Sequence, residues 1–440
     1  MLSARETALR ALIAFRREGA WPDLYLKKAC GDMRGEEAAL TANLTYGMLQ
    51  NRAWLDFLIG QFSVRPVEKL TPQVLDALRL GAYQLIFLTR IPHSAAVHET
   101  VELVKKTASP AAAGYANGVL RALQRNLDHL PEVPRRPELD YLSVRYSHPK
   151  WFVGKMSKRL GFDGCEALLR ADNTPVPAAA RVNTLKISRG ALLERLSKEG
   201  ISAGPHPYLP NAVVFDTMKG VLGSAALAQG LFYIQDIASQ LCVEALAPRP
   251  GETVFDLCAA PGGKSMLAAQ MMEDQGSLLS MDLYPHKSDL IAQNARTYGI
   301  TCLQAIPSDA SVLKEALVCR ADAVICDVPC SGMGVIRKKP DVRYKDGDQI
   351  KELPPLQLSI LENAGKYLKP GGRLVYSTCT VLKEENEGVV ERFLASHPAF
   401  SLCPFDLPGV GRAEEGMVTL WPHIHGTDGF FMAKLEKSRG

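Results

Sequence analysis

The stretch VFDLCAAPGGKS, residues 254–265, joins an apolar run to a glycine turn and the start of a helical pattern. Gly262 and Gly263 lack side chains, which lets backbone amide groups approach a bound ligand closely. A Walker A phosphate loop would need glycine where Cys258 stands, and the dinucleotide pattern G-x-G-x-x-G is also missing. The stretch therefore predicts a strand-to-helix turn that holds a ligand without either phosphate-binding motif.

Short apolar runs alternate with helical patterns along the C-terminal half of the chain. This alternation is typical of a doubly wound parallel sheet, which binds its ligands beyond the carboxyl ends of the strands. The predicted strands are Val254–Cys258, Leu278–Asp282, Ala323–Asp327 and Arg373–Thr378. We therefore expect four side chains at one edge of the sheet, those of Cys258, Asp282, Asp327 and Cys379.

Asp282 ends the strand that follows the glycine turn. In folds of this kind an acidic side chain at that position can bind ribose hydroxyl groups. S-adenosylmethionine has ribose hydroxyls and no phosphates, so it is the cofactor that these residues favour. The alternative is a glycine turn and a strand-end aspartate that serve only the fold.

Two cysteines, Cys330 and Cys379, each end a strand-like run and lie among Pro, Ser, Thr and Gly. Such a pair suits methylation of carbon 5 of cytosine, where a thiolate first adds to carbon 6 and later leaves. Asp327 would bond the polar edge of the ring. The alternative is that both cysteines are small core residues. We expect that role for four others, which fall within predicted elements: Cys242, Cys302, Cys319 and Cys326. These patterns do not decide which thiol attacks.

The periodicity divides the chain into four parts. Residues 1–130 show helical periodicity only and predict an all-α domain, and the proline-rich residues 131–144 predict a linker. Residues 145–230 predict a small α+β module, and residues 231–440 an α/β Rossmann-like catalytic domain.

Local signals mark several elements within these parts. Thr71 and Pro72 predict the start of a helix whose apolar stripe includes Val74, Leu75, Leu78 and Leu85. A strand is predicted over residues 180–187, followed by a helix from Ser188 to Leu196 and a strand over Ala212–Phe215.

Composition is that of an ordinary globular protein, with 47% hydrophobic and 22% charged residues, which excludes disordered and fibrous classes. Basic residues outnumber acidic ones by 20 to 15 in residues 1–150, against 31 to 32 in the remainder. This excess is compatible with nucleic-acid binding, although solvated helical surfaces can carry as much. With no signal peptide or membrane span, and ten cysteines too sparse for a disulfide scaffold, we expect a cytoplasmic protein with free thiols.

Three other groups of polar residues give weaker indications of function. Arg337, Lys338 and Lys339 either contact substrate phosphates or form a solvated loop. His423 and His425 lack a third ligand at convincing spacing, so no metal site is expected. The acidic run 383–387 predicts an exposed first helical turn.

Three segments carry a family resemblance: Asp256–Ser265, Asp327–Gly334 with the following residues 337–341, and Tyr376–Thr380. They closely resemble RNA cytosine-C5 methyltransferases of the Nop/Sun family. The whole chain is similar to Sun/Fmu-type bacterial 16S rRNA methyltransferases, with matching features such as RYSHP at 145–149 and the final WPHIHGTDGFF at 421–431. The resemblance implies a multidomain protein with an all-α NusB-like RNA-binding domain, a small α+β RNA-binding module and an S-adenosylmethionine-dependent methyltransferase domain.

The resemblance also implies residue roles. It makes Cys379 the nucleophile and gives product release to Cys330, whereas analogy with DNA cytosine methyltransferases would have chosen Cys330 to attack. It places Asp282 at the ribose, Asp309 near the adenine and Asp327 close to methyl donor and base. The implied cofactor residues are Cys258, Ala259, Ala260, Pro261, Gly262, Gly263, Lys264, Asp282, Asp309 and Asp327.

The expected partner is 16S rRNA, bound by a monomer without a membrane or an obligate protein partner. Two alternatives stay open. One is the same chemistry on tRNA or another rRNA site, because the flanking domains choose the RNA. The other is a non-catalytic RNA-binding or assembly factor that has kept the fold.

Overall fold

The computed structural model describes residues 2–18, 22–31, 33, 35–175 and 178–439, without the side chains of Glu18 and Gln349. The chain forms two compact units. The helical unit comprises Met1–Asn173 together with Lys338–Lys345, and the catalytic unit comprises Thr174–Arg337 with Asp346–Gly440. No helix in the described part of the chain is both long enough and apolar enough to cross a membrane.

The helical unit is all-α, as predicted. Its helices are α1 (Ala4–Glu18), α2 (Pro22–Ala29), α3 (Gly35–Phe62), α4 (Pro72–Phe87), α5 (His93–Thr107), α6 (Pro110–Arg125), α7 (Glu138–Tyr146) and α8 (Lys150–Ala171). A central core contains Leu44 from α3, Leu78 from α4, Val97 from α5 and Leu120 from α6.

Helix α4 forms where the sequence predicts it. Thr71 occupies the N-cap with extended backbone and Pro72 is the first helical residue, although the Thr71 side chain makes no capping hydrogen bond. Val74, Leu78 and Leu85 are buried, so the predicted apolar stripe faces the core. Proline is favourable at that position because its missing N–H would have no helical partner.

Helix α7 occupies the second half of residues 131–144, the range predicted as a linker. Helix α7 begins at Glu138. Helix α8 kinks at Gly161, whose φ of 73° is accessible mainly to glycine. The four domain ranges, 1–130, 131–144, 145–230 and 231–440, remain predictions.

A small antiparallel sheet begins the catalytic unit, in the strand order β2-β3-β1-β4. Its elements are β1 (Ala178–Val182), α9 (Arg189–Lys198), β2 (Ala203–Pro205), β3 (Ala212–Phe215), α10 (Ala225–Ala228) and β4 (Phe232–Ile234). The strand predicted over residues 180–187 is too long, because the buried side chain of Asn183 turns the chain after β1. Its amide donates to the carbonyl oxygens of Gly230 and Tyr298 at 2.8 and 2.9 Å. Ser188 caps α9 as predicted, since its hydroxyl accepts the Ala191 N–H.

The large sheet has the strand order β10-β14-β9-β8-β5-β6-β7, with β13 paired to β14. The first half of this part contains α11 (Ile237–Leu246), β5 (Thr253–Asp256), α12 (Gly263–Met271), β6 (Ser277–Asp282), α13 (Pro285–Tyr298), β7 (Leu303–Pro307) and β8 (Ala321–Asp327). The second half contains α14 (Gly347–Ile350), α15 (Leu353–Tyr367), β9 (Leu368–Thr378), α16 (Glu387–Ser396), β10 (Phe400–Leu402), β11 (Phe405–Leu407), β12 (Gly411–Ala413), β13 (Met417–Leu420), α17 (Pro422–His425) and β14 (Phe430–Lys437).

Strands β5 to β9 are parallel, and β14 adds to β9 in the antiparallel direction. The chain winds outward from β5 through β6 to β7, then returns to β8 on the other side of β5. The crevice beyond the carboxyl ends of β5 and β8 is therefore the place where such sheets bind ligands.

Candidate active site

The glycine turn lies between β5 and α12, as predicted. Gly262 has φ 100° and is the N-cap of α12. A Cβ at Gly262 would lie 2.7 Å from Cε of Met266, and one at Gly263 would lie 3.0 Å from the Tyr233 ring. Gly262 needs glycine because of its positive φ, whereas a side chain at Gly263 would require the Tyr233 ring to shift slightly.

Arg181, in β1, forms hydrogen bonds that support this turn. The sequence patterns did not indicate this residue. Its Nη1 donates to the Gly263 carbonyl at 2.7 Å and to Oε1 of Gln235 at 2.5 Å. Arg181 is 1% exposed, and burial lowers its pKa to about 10. The small sheet thus fixes the backbone of the cofactor turn.

Two cavities follow the carboxyl edge of the sheet and share Cys258. One, of about 270 Å³, is lined by the glycine turn and Asp327. The other, of about 370 Å³, is lined by Asp282 and Asp309 among others. A bare backbone turn beside one cavity and a strand-end carboxylate beside the next fit S-adenosylmethionine, whose amino-acid part and nucleoside part need different surroundings.

The side chains of Asp282 and Asp309 are each held in place. Oδ2 of Asp282 accepts the Ala260 N–H at 3.1 Å, and Nζ of Lys287 lies 3.5 Å from Oδ1. Oδ1 of Asp309 accepts both the N–H and the hydroxyl of Ser311 at 2.9 and 2.6 Å. Asp282 is thereby bonded directly to the glycine turn.

Lys264 and Asp327 form an ion pair at the catalytic edge, with Nζ to Oδ2 at 2.6 Å. The Ser377 hydroxyl donates to the other Asp327 oxygen at 2.7 Å. Burial opposes the charge on Lys264, but the carboxylate of Asp327 outweighs it and raises the pKa of Lys264 above its usual value. The lysine is therefore a permanent cation at neutral pH.

Cys330 and Cys379 lie together, with their sulfur atoms 3.0 Å apart and no disulfide between them. They follow β8 and β9, which are parallel neighbours with Asp327 opposite Ser377. The hydrogen bond to Cys379 and burial both raise the pKa of Cys330 well above its ordinary value. The two thiols therefore share one hydrogen bond, in which either sulfur can be the donor.

The prediction that the acidic run 383–387 forms an exposed first helical turn is wrong. Helix α16 begins only at Glu387, and both Glu385 and Asn386 are fully buried. Oε2 of Glu385 accepts the Ser331 N–H at 2.8 Å and an amide N–H of Gln357 at 2.9 Å. Glu385 therefore satisfies a buried backbone donor of the Cys330 loop, while Lys383 and Glu384 stay exposed.

Asp256 is a second buried acid that the patterns did not single out. It lies at the end of β5, accepts the Ser265 hydroxyl at 2.6 Å and lines the smaller cavity. Burial raises the pKa of Asp256 to about 7. The sequence offered one signal for this residue, because Asp256 is an acidic residue at the end of a strand, directly before the glycine turn.

The predictions for the basic residues 337–339 and for the other cysteines have mixed outcomes. Arg337 is half-buried and donates to the Pro175 carbonyl at 3.0 Å, so it is not part of a solvated loop. Lys339, in the helical unit, lies 3.5 Å from Oδ2 of Asp23. Cys242 and Cys326 are buried as expected, but Cys319 is exposed with φ 57°, so its prediction as a core residue is wrong.

Family models match three parts of the chain. The model of the NusB family matches residues 2–125, and one described as a Methyltr_RsmF/B-like, ferredoxin-like domain matches residues 148–221. The model described as 16S rRNA methyltransferase RsmB/F matches residues 243–436. The three matches agree with the all-α, α+β and α/β order of the fold.

Full-length relatives are similar to this chain. The probable ribosomal RNA small subunit methyltransferase B of Bacillus subtilis (strain 168) is 37% identical and the match covers 99% of each chain. Ribosomal RNA small subunit methyltransferase B of Erwinia tasmaniensis is 34% identical over 93% of this chain and 92% of its own. The crystal structure of PH0851 is 28% identical with a TM-score of 0.80, covering 98% of this chain and 99% of that one. The chain therefore belongs to the RsmB/F family of S-adenosylmethionine-dependent 16S rRNA methyltransferases.

Proposed function

We propose that this protein methylates carbon 5 of a specific cytosine in 16S rRNA through a covalent adduct between Cys379 and carbon 6. The observation that carries the proposal is the pair of sulfur atoms 3.0 Å apart, beside the Lys264–Asp327 ion pair. A methyltransferase acting on a nitrogen or an oxygen would have no use for two adjacent thiols. Carbon 5 chemistry needs one thiolate that attacks and later departs.

In the proposed mechanism the Cys379 thiolate forms a bond to carbon 6, and the electrons of the 5,6 double bond make carbon 5 nucleophilic. Bound S-adenosylmethionine supplies an electrophilic methyl group. After carbon 5 has taken the methyl group, a base accepts the carbon 5 proton, and the electrons of that C–H bond restore the double bond and expel the sulfur from carbon 6. Cys379 leaves as a thiolate, so the step conserves its electron pair.

Cys330 would assist that departure. Its thiol keeps its proton because the pKa of Cys330 is raised by the hydrogen bond to Cys379 and by burial. A neutral thiol 3.0 Å from the leaving sulfur can donate a hydrogen bond as negative charge develops there. Either sulfur of the pair can be the donor in this contact, so the choice of Cys379 as attacker and Cys330 as the residue of release rests on the family resemblance.

Asp327 and Lys264 would hold the cytosine. A carboxylate beside the ring can bond the exocyclic amine and N3, and it favours N3 protonation as the adduct forms. The Ser377 hydroxyl and Lys264 Nζ fix both carboxylate oxygens at 2.7 and 2.6 Å. The proposed cofactor residues are the turn 258–264 with Asp282, Asp309 and Asp327, and all of them except Gly262 line the two cavities that share Cys258.

The test compares two variants with purified protein, S-adenosylmethionine and transcribed 16S rRNA. We expect Cys379→Ala to give neither methylation nor adduct, and Cys330→Ala to accumulate a protein–RNA adduct that survives denaturing gels. Cys319→Ala, an exposed cysteine outside the site, is the control. An adduct that appears in Cys379→Ala and disappears in Cys330→Ala would reverse the two roles.

The substrate is tested separately. Bisulfite sequencing of rRNA and tRNA from a deletion strain should reveal one lost methylcytosine in 16S rRNA, whereas a loss in tRNA would contradict the proposed target. We also propose a monomer that acts in the cytoplasm. The free thiols of all ten cysteines support a reducing compartment, and sedimentation of the purified protein tests the monomer.

A further inference from the structure

A polar cavity of about 370 Å³ lies wholly within the helical unit, separate in sequence from the catalytic residues. Three arginines line it, Arg135, Arg145 and Arg170, together with the aromatic residues Trp54, Tyr141 and Tyr146. Its size is within the range of small-ligand sites, roughly 300 to 1,000 Å³. We call it the arginine cavity.

Aromatic rings hold two of these guanidinium groups in place. The guanidinium carbon of Arg145 lies 5.1 Å from the Trp54 ring centre and 5.5 Å from that of Tyr146. That of Arg135 lies 5.7 Å from the Tyr141 ring centre. Within the described residues, neither arginine has a hydrogen-bond acceptor for its N–H groups. Ring contact therefore orients the two cations while their donors stay available.

Glu166 is the acidic group nearest to these arginines for which contacts are defined, and it is already engaged. Its Oε1 accepts the hydroxyls of Tyr141 and Tyr146 at 3.1 and 2.8 Å. Arg170 lies 4.0 Å from the same oxygen, with 68% of its side chain exposed. Three arginines thus face two glutamates, Glu166 and Glu132, in the lining, which leaves the cavity with a net positive charge.

Planar cations on aromatic rings with unused donors are suited to the phosphate oxygens and bases of RNA. A buried carboxylate ligand would need fewer arginines, and an acidic peptide would gain little from the rings. The surplus of basic residues in the first 150 positions, 20 against 15, agrees with this chemistry.

We propose that the arginine cavity is a second RNA-binding site, in which Arg135, Arg145 and Arg170 bind phosphates of an unpaired segment of the substrate RNA. The site deepens the proposed function and rests on its RNA substrate. It contributes affinity and register, while the cysteine pair and the cofactor turn carry out the reaction.

The experiment removes the positive charges of the three arginines and keeps side chains of similar size in the arginine cavity. Full-length Arg135→Gln/Arg145→Gln/Arg170→Gln protein is titrated with transcribed 16S rRNA at several salt concentrations. The matched control, Arg10→Gln/Arg121→Gln/Arg125→Gln, removes three exposed arginines of the same unit that do not line the cavity. Binding of S-adenosylmethionine and the thermal midpoint confirm that each variant is folded.

For the cavity variant we expect an RNA Kd at least about tenfold higher, and a salt dependence of log K smaller by about 2. The control should change each value by less than half as much. Methylation at saturating RNA and S-adenosylmethionine binding should be unchanged, so loss of this site is distinguishable from failure of the proposed chemistry. Arg145→Lys should keep the salt dependence but lose affinity, because a lysine ammonium lacks the planar guanidinium that contacts Trp54 and binds phosphate through two donors.

Equal changes in the two triple variants would mean that only overall charge matters, and would overturn the proposal. Unchanged RNA binding in the cavity variant would do the same. Loss of binding to poly-glutamate with normal RNA binding would identify a protein partner and would likewise contradict the RNA site.

Discussion

Asp256 is a buried carboxylic acid, 1% exposed, at the last residue of β5 before the cofactor turn. One oxygen accepts the Ser265 hydroxyl, and the other has no hydrogen-bond partner among the described residues. Its pKa is raised by burial to about 7, so near neutral pH the folded protein holds a proton there that the unfolded chain has released.

This raised pKa makes stability fall with pH. Between the unfolded pKa near 3.8 and the folded value of about 7, the native state binds more protons, so the free energy of unfolding decreases as pH rises and levels off above 7. The total is on the order of 4 kcal/mol at most. We expect Asp256→Asn to remove this dependence, and thus to be more stable relative to the natural protein at pH 8 than at pH 5.

Thermal midpoints of the two proteins from pH 5 to pH 8, without cofactor, measure the effect. Asp309→Asn, at an exposed carboxylate on the same edge, is the control and should show no such trend. A midpoint difference that stays constant across this range would contradict a protonated Asp256.

At the scale of elements, two loops carry the reacting thiols, and Glu385 braces one of them against its neighbours. Gln357 donates to the Pro329 carbonyl at 2.9 Å, and Glu385 accepts the Ser331 N–H, so hydrogen bonds hold the chain on both sides of Cys330. The Ser331 hydroxyl bonds that of Thr380, one residue after the other cysteine, at 2.9 Å.

Glu385→Ala should therefore slow release of the product more than formation of the adduct. The buried Ser331 N–H would lose its acceptor, at a cost of about 1–3 kcal/mol, and Cys330 would lose its fixed position. We expect the denaturation-stable adduct to accumulate to an intermediate level between the natural protein and Cys330→Ala. Glu385→Gln keeps an acceptor oxygen and should restore most turnover. Equal loss of adduct formation and release would indicate a purely structural role.

Gly334 lies where the Cys330 loop approaches both the Cys379 loop and the residue that precedes β14. Its N–H donates to the Cys379 carbonyl at 2.9 Å, and a Cβ there would lie 1.9 Å from the Gly429 carbonyl oxygen. Gly334→Ala must push these backbones apart, so we expect at least about 1–3 kcal/mol of lost stability and more than tenfold lower kcat.

Gly190→Ala is the matched control for that variant. Gly190 lies in α9, and a Cβ there would meet nothing within 4 Å. It should leave kcat unchanged and stability equal or slightly higher, because alanine favours a helix over glycine. Denaturant unfolding and initial rates of methylation measure both variants. Normal activity in Gly334→Ala would show that the loops tolerate separation.

At the scale of the whole molecule, the chain leaves the catalytic unit after Arg337 and returns to it at Asp346. In between, Arg343 is fully buried in the helical unit. Its Nη1 donates to the carbonyl oxygens of Gln50 and Ser147 at 2.8 and 3.0 Å, and Nη2 donates to Oδ1 of Asn173 at 3.0 Å. This segment completes the core of a unit whose other residues all precede it by more than a hundred positions.

Arg343→Met should destabilise the helical unit by roughly 3 kcal/mol, because several buried oxygens lose their donor. We expect a lower thermal midpoint and unchanged affinity for S-adenosylmethionine, whose turn belongs to the other unit. Arg412→Met, at an arginine 49% exposed in its side chain, is the control. Calorimetry and cofactor titration of the full chain check both values. An unchanged midpoint would mean that water replaces the guanidinium without cost.

Sequence alone determined the order of helical and α/β parts, the edge of the sheet that holds Cys258, Asp282, Asp327 and Cys379, and the glycine turn. These follow from local period and from the rule that parallel strands end together, and both can be read from neighbouring residues. Family resemblance, a property of the whole sequence, gave the two cysteines their separate roles.

Tertiary structure decided the rest. The sequence predicts Glu385 to be exposed and does not single out Arg343, yet both side chains are buried by partners distant in the chain. The same holds for Arg181, whose acceptor at Gly263 is 82 residues away. A buried polar side chain must find its hydrogen-bond partner wherever the fold supplies one, and no local pattern records that pairing.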